Sequence, residues 1–153
     1  MATTRSSKDA IDISAWRGLV RVQGAVRRDL DKALQAAEGI SLWEYTVLRT
    51  LSGASGRCLR MSELAVATDY TPSGLTRLVE RLERAGLVQR GPCPDDRRGS
   101  VATLTPAGQK AFARARTTHL AEVRRRFLGH CSEQELATLV ALWERVLPGA
   151  TTT

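Results

Sequence analysis

Residues 71–86 read T-P-S-G-L-T-R-L-V-E-R-L-E-R-A-G, and at helical spacing they divide into two faces. Leu75, Leu78, Val79 and Leu82 make an apolar stripe, while Ser73, Thr76, Arg77, Glu80, Arg81 and Arg84 lie opposite. Short hydrogen-bonding side chains followed by cations suit the major groove of B-DNA, where an arginine can bond guanine through two N–H groups and a threonine can touch a thymine methyl. Pro72, Ser73, Thr76, Arg77 and Arg81 are therefore candidate contacts to double-stranded DNA. The same face also fits an ordinary solvated surface helix, so a second feature has to decide.

That feature is G-P-C-P-D-D-R-R-G-S, residues 91–100. Arg97 and Arg98, followed by Gly99 on a protruding turn, suit a narrow minor groove, where the negative potential is deepest. In extended backbone Asp96 and Arg98 point to the same side, so the carboxylate can orient the guanidinium before DNA arrives. Cys93 sits between two prolines without an evident activating base and reads as a plain surface thiol.

Catalytic signatures would overturn this reading, and none is present. The chain lacks G-x-x-x-x-G-K-[ST], G-x-S-x-G, H-E-x-x-H and a G-x-G-x-x-G after a strand. Its two histidines, His119 on an apolar stripe and His130 at a helix boundary, fit structural roles better than catalysis or ligation. The three cysteines are widely spaced and form no C-x-x-C pair, which argues against a disulfide framework and a zinc ribbon. No enzyme activity, metal or cofactor is expected.

The elements that must hold these side chains follow from spacing and caps. Leu19, Val22, Val26, Leu30 and Leu34 define a long amphipathic helix from about Ser14 to Gly39. Ser41 and Glu44 form an S-x-x-E capping box for a second helix, and G-A-S-G at 53–56 breaks the chain. A short strand around Leu59 leads to Ser62, expected to cap a third helix. Thr71 and Pro72 start the fourth helix and Gly86 stops it. Strands at 87–90 and 101–104 flank the basic loop, so a hairpin follows a helix-turn-helix. Thr105 and Pro106 open a fifth helix, and Ser132 with Glu135 caps a sixth that Pro148 closes. The fold class expected is mainly α with a small β-hairpin wing, α+β in all.

Composition agrees with one soluble globular chain. Its 153 residues are 42% hydrophobic and carry a net charge of +7, and no stretch approaches the ~18 apolar residues of a membrane span. Residues 57–116 hold 11 basic against 6 acidic side chains, whereas the flanks are near neutral. Clustered cations between neutral flanks suit a polyanion-binding centre held by structural elements. The first residues have no continuous apolar core, so no secretory signal is expected and the cytoplasm is the default address.

Taken together, S-E-L-A at 62–65, L-T-R-L-V-E-R-L-E-R-A-G-L-V at 75–88, D-D-R-R-G at 95–99 and L-T-P-A-G at 104–108 resemble MarR-type winged helix-turn-helix regulators. The resemblance runs from about Ile13 to Pro148. It implies a homodimer built from N- and C-terminal helices, with two winged lobes on an imperfect inverted repeat of double-stranded DNA. It also implies, in many members, a small-molecule or oxidant signal that releases DNA. The recognition helix matches Pro72–Arg84, the wing arginine Arg98 and its partner Asp96. Domains are then expected as a flexible 1–12, an N-terminal dimerisation helix 13–39, a winged lobe 40–104, C-terminal dimerisation helices 105–148 and a frayed tail 149–153. Members that sense organic hydroperoxides carry a cysteine in the first helix, which this chain lacks.

The function expected is a DNA-binding transcription regulator, a repressor released by a ligand. The alternatives are a helical adaptor whose winged domain binds protein, a thiol-based redox-responsive regulator, and an RNA-binding winged helix. The last lacks a stacking platform, since Tyr70 is the only aromatic residue between 57 and 111. For an effector, Trp16, Trp43 and His119 with Arg17 or Arg21 offer aromatic walls and a cation for a small aromatic or phenolic ligand. Each tryptophan also reads as an ordinary core residue and each arginine as a solvated one.

Overall fold

A computed structural model describes the backbone of residues 3–93 and 96–151 and the side chains of residues 8–92 and 99–151. Along the described chain the order is α1 (Thr3–Glu38), α2 (Leu42–Gly53), β1 (Cys58–Arg60), α3 (Met61–Thr68), α4 (Pro72–Arg84), β2 (Val88–Cys93), β3 (Asp96–Leu104), α5 (Pro106–Arg126) and α6 (Glu133–Val146). This is the expected mainly helical winged helix-turn-helix. No helix among the described residues is long and apolar enough to cross a membrane.

The chain divides into two units, residues 27–119 and residues 1–26 with 120–153. The first holds the core. Leu34 of α1, Leu48 and Leu51 of α2, Leu64 of α3, Leu75 and Leu82 of α4 and Val88 of β2 are all fully buried. Each such side chain contributes about 1.5–3 kcal/mol through removal from water. The three strands form one antiparallel sheet in the order β1-β3-β2. Leu59 of β1 pairs with Ala102, and Arg90 of β2 pairs with the same residue from the other side.

Caps set the boundaries of the helices that matter most. In α4 the Thr71 hydroxyl accepts the Gly74 N–H at 3.3 Å and Pro72 occupies the first turn, where its missing N–H costs nothing. Gly86, at φ +72°, ends the helix: its N–H reaches the Glu83 carbonyl at 2.9 Å while the Leu87 N–H reaches that of Leu82 at 2.9 Å. That pair of bonds is a Schellman motif, which favours glycine at the left-handed position. Thr105 then joins α5 to this stop. Its hydroxyl donates to the Gly86 carbonyl at 2.7 Å and accepts the Gly108 N–H at 3.0 Å.

The second unit is of another kind. Every buried apolar side chain of the described residues lies within 27–119, and of the exposed large apolar ones only Val66 does. Ile11, Ile13, Trp16, Leu19, Val20 and Val22 of α1 and Val140 of α6 stay exposed. Between α1 and α6 runs an apolar groove of about 480 Å³, lined by Leu19, Val22, Val26, Phe127, Leu142 and Trp143 among others.

Three expected boundaries need correction. Helix α1 begins at Thr3, ten residues before the expected Ile13; residues 3–12 carry no repeating apolar stripe, and an i,i+4 pair between Lys8 and Asp12 at 3.3 Å is the local support. Ser62 lies inside α3, which starts at Met61, and the Glu63 carboxylate meets the Arg60 N–H at 2.9 Å instead. The wing strands run further than 87–90 and 101–104, to Cys93 and from Asp96. The chain after α6 folds back as far as Thr151: the Glu144 carboxylate accepts the Gly149 and Thr151 N–H groups, each at 2.8 Å.

Candidate nucleic-acid interface

Helix α4 buries Leu75, Leu78, Val79 and Leu82, which turns its other face outward. Ser73 and Arg77 are exposed on that face. Arg77 makes no hydrogen bond or ion pair among the described residues, so its guanidinium is free for an incoming acceptor. The Thr76 hydroxyl is spent on the Pro72 carbonyl at 2.9 Å, which leaves its methyl for apolar contact. Four residues further on the chemistry changes. Arg81 is held by Glu44 of α2, its Nε 3.2 Å and its terminal nitrogen 3.0 Å from the carboxylate, so this candidate contact is paired within the protein.

The wing is anchored to α4 at its base. Arg90 of β2 donates its backbone N–H to Glu83 at 3.2 Å and its side-chain Nε to the same carboxylate at 3.0 Å. Above that base Gly91 faces Val101 and Pro92 faces Ser100, and a register shift follows before Cys93 meets Asp96. Asp96, Arg97 and Arg98 have their backbone in β3, while their side chains and that of Cys93 lie outside the described residues.

The residues suggested for an effector divide between the two units. Trp16, Arg17 and Arg21 are exposed on α1 in the unit formed by the chain ends. Trp43 and His119 belong to the core unit, and each has a ring partner there. Trp43 meets Tyr70 edge-on with centroids 4.7 Å apart and carries the Arg27 guanidinium 4.1 Å above its ring. His119 stacks on Tyr45 at 4.5 Å, and Tyr45 on Phe112 at 5.8 Å. Burial, helped by the positive charge of Arg49, holds the imidazole below its ordinary pKa of 6.5, and burial raises that of Tyr45. His119 Nδ1 is buried without a hydrogen-bond partner among the described residues. No group of three His, Cys, Asp or Glu among the described residues is placed to hold a metal ion.

Two residues here escaped sequence reading. Spacing marks Glu44 as a helix cap and gives Glu83 no role. Arg81 of α4 reaches Glu44, and Arg90 of β2 reaches Glu83, only once these elements pack.

A helix-turn-helix with an exposed polar face on its second helix, followed directly by a two-stranded wing, defines a winged helix-turn-helix protein. The family model of the MarR family matches residues 38–99. A Thauera aromatica protein named for transcriptional regulation of the hcr operon is 32% identical over 128 residues, 84% of this chain and 75% of that one. The transcriptional repressor Rv2887 of Mycobacterium tuberculosis is 35% identical over 97 residues, covering 63% and 68%. Sco3205, a MarR family regulator from Streptomyces coelicolor solved in complex with DNA, superposes with a TM-score of 0.84 at 30% identity, over 94% of this chain and 90% of that one. The chain belongs to the MarR family, whose members are transcription regulators and not enzymes.

Proposed function

We propose that the protein is a cytoplasmic homodimer that binds an imperfect inverted repeat in double-stranded DNA and represses transcription there until a small aromatic or phenolic ligand releases it. The observation that carries the DNA reading is Arg77, exposed and unpaired one turn after Ser73 on the recognition helix. An arginine in that state meets guanine without first breaking a protein contact. The wing residues Asp96, Arg97 and Arg98 supply a second, minor-groove contact in this reading. The DNA complex of Sco3205 and the repressor activity in the name of Rv2887 support it by likeness.

Dimerisation through 13–39 and 105–148, with 40–104 reading DNA, is supported by the apolar side chains that the terminal unit leaves exposed. An uncovered apolar surface of this extent marks an interface in a soluble protein. Two-fold symmetry then places recognition helices about one DNA turn apart, hence an inverted repeat. The effector is the reading's outermost part, and Trp16, Arg17, Arg21, Trp43 and His119 remain its candidate contacts.

The deciding experiment selects bound duplexes from a random pool and measures affinity for the selected sequence over a range of salt. A palindromic consensus bound far more tightly than random duplex, with a steep salt dependence, is expected. Weak, sequence-indifferent binding would instead mark a winged domain that docks on protein.

A further inference from the structure

The first turn of α2 touches more of the molecule than a helix start needs to. Its Leu42 N–H donates to Asp31 of α1 at 2.8 Å. Trp43 lies under Arg27 of α1 on one side and against the Tyr70 ring on the other. Tyr70 in turn covers the start of α4 so closely that a Cβ on Gly74 would stand 2.5 Å from its ring. Glu44, only 8% exposed, accepts the Ser41 N–H at 2.7 Å with one oxygen and binds Arg81 with the other. Three consecutive residues therefore tie α1 to the recognition helix at two points, Gly74 and Arg81. These points lie about two helical turns apart, enough to fix a helix in pitch as well as in place. Arg77, which makes no hydrogen bond or ion pair among the described residues, lies between them.

We propose that Trp43 and Glu44 are positioning residues for sequence reading: they set the pitch at which α4 presents Ser73, Thr76 and Arg77 to base edges, without touching DNA themselves. This rests on the DNA-binding reading above. Phosphate contacts tolerate a small change of helix pitch because the backbone repeats, whereas bidentate base contacts do not. Loss of either tie should therefore cost discrimination and spare nonspecific affinity. It also assigns Arg81 to the latch and not to the DNA.

The test uses the full chain, the duplex selected from the random pool and a random duplex of equal length at one fixed salt concentration. Trp43→Leu, Trp43→Phe, Glu44→Gln, Arg81→Met and the double variant Glu44→Gln/Arg81→Met are compared at a temperature where circular dichroism shows each to be folded. The expected result is a fall of about tenfold in the ratio of selected to random affinity for Trp43→Leu and Glu44→Gln, with random affinity unchanged. Trp43→Phe should recover most of the ratio, and the double variant should lose no more than Glu44→Gln alone. Glu44→Gln is the sharpest arm, and it decides the matter even if Trp43→Leu does not fold. It frees Arg81, so binding that holds or strengthens would make Arg81 a DNA contact and overturn the latch. Ratios within twofold of the parent, or parallel loss of both affinities, would overturn it too. A parent protein that itself prefers no duplex would instead sink the DNA reading on which the proposal stands.

Discussion

Gly108 on the first turn of α5 approaches the Leu87 carbonyl so closely that a Cβ at this position would stand 2.0 Å from the oxygen. No flexible side chain can yield here, because the obstacle is backbone. Gly108→Ala should therefore destabilise the core unit by about 1–3 kcal/mol, the range of overpacking in a well-packed site. Denaturant unfolding would check this, and a midpoint equal to that of the parent would contradict the geometry. The same contact explains L-T-P-A-G at 104–108: Thr105 bonds both the end of the recognition-helix stop and the start of α5, and only glycine lets the two approach.

Recognition helix and wing should fail in different ways. Arg77→Ala and Thr76→Ala should each remove about 1–3 kcal/mol of preference for the selected duplex over a random one. Arg98→Ala should weaken binding to all sequences alike and reduce the salt slope by about one, and Arg97→Ala should do so to a lesser degree. Competition binding at several salt concentrations separates the two patterns. Equal behaviour of all four variants would mean that the DNA surface has been placed wrongly.

The exposed groove between α1 and α6 makes a direct prediction about assembly. If the proposed dimer forms over this groove, Leu19→Asp or Leu142→Asp should weaken it by roughly a hundredfold or more, since an uncompensated buried carboxylate costs about 3–5 kcal/mol. Sedimentation velocity reads this directly. The core unit should keep its secondary structure in both variants, because its buried side chains all lie within 27–119.

His119 gives the fold a pH dependence of known sign. Its pKa is lowered in the folded chain, mainly by burial, so between the unfolded value of 6.5 and the lower folded value the unfolded chain binds the extra proton. Stability from this residue is then complete above pH 6.5 and declines as pH falls below it. His119→Phe should flatten that decline. Thermal melts at pH 7.5, 6.5 and 5.5 would show it, and parallel curves for parent and variant would mean that the imidazole titrates normally.

Local chemistry was readable and long-range pairing was not. Thr71, Pro72 and Gly86 bounded the recognition helix correctly because caps and stops act within a few residues of themselves. The outward face of α4 was legible from spacing for the same reason. The Arg81–Glu44 pair is not legible in the sequence because the two residues lie 37 positions apart, and helical spacing has no means of showing a contact across helices. The beginning of α1 was missed because residues 3–12 lack the apolar stripe by which an amphipathic helix is recognised. The outer ends of β2 and β3 read as loop in the sequence because glycine and proline punctuate them, although β2 is an edge strand, where a proline such as Pro92 is tolerated.

The terminal unit, which buries no apolar side chain among the described residues, has a further consequence for how much of the protein exists in a cell. In the proposed dimer a second copy would cover these helices, and protein concentration would then enter the folding equilibrium as a variable in its own right. The melting temperature should climb with dilution reversed, and chains made in small amounts should be cleared by proteolysis before they accumulate. Supply of the protein would then act as a threshold: below it there are few intact molecules, and above it their number grows more steeply than synthesis does.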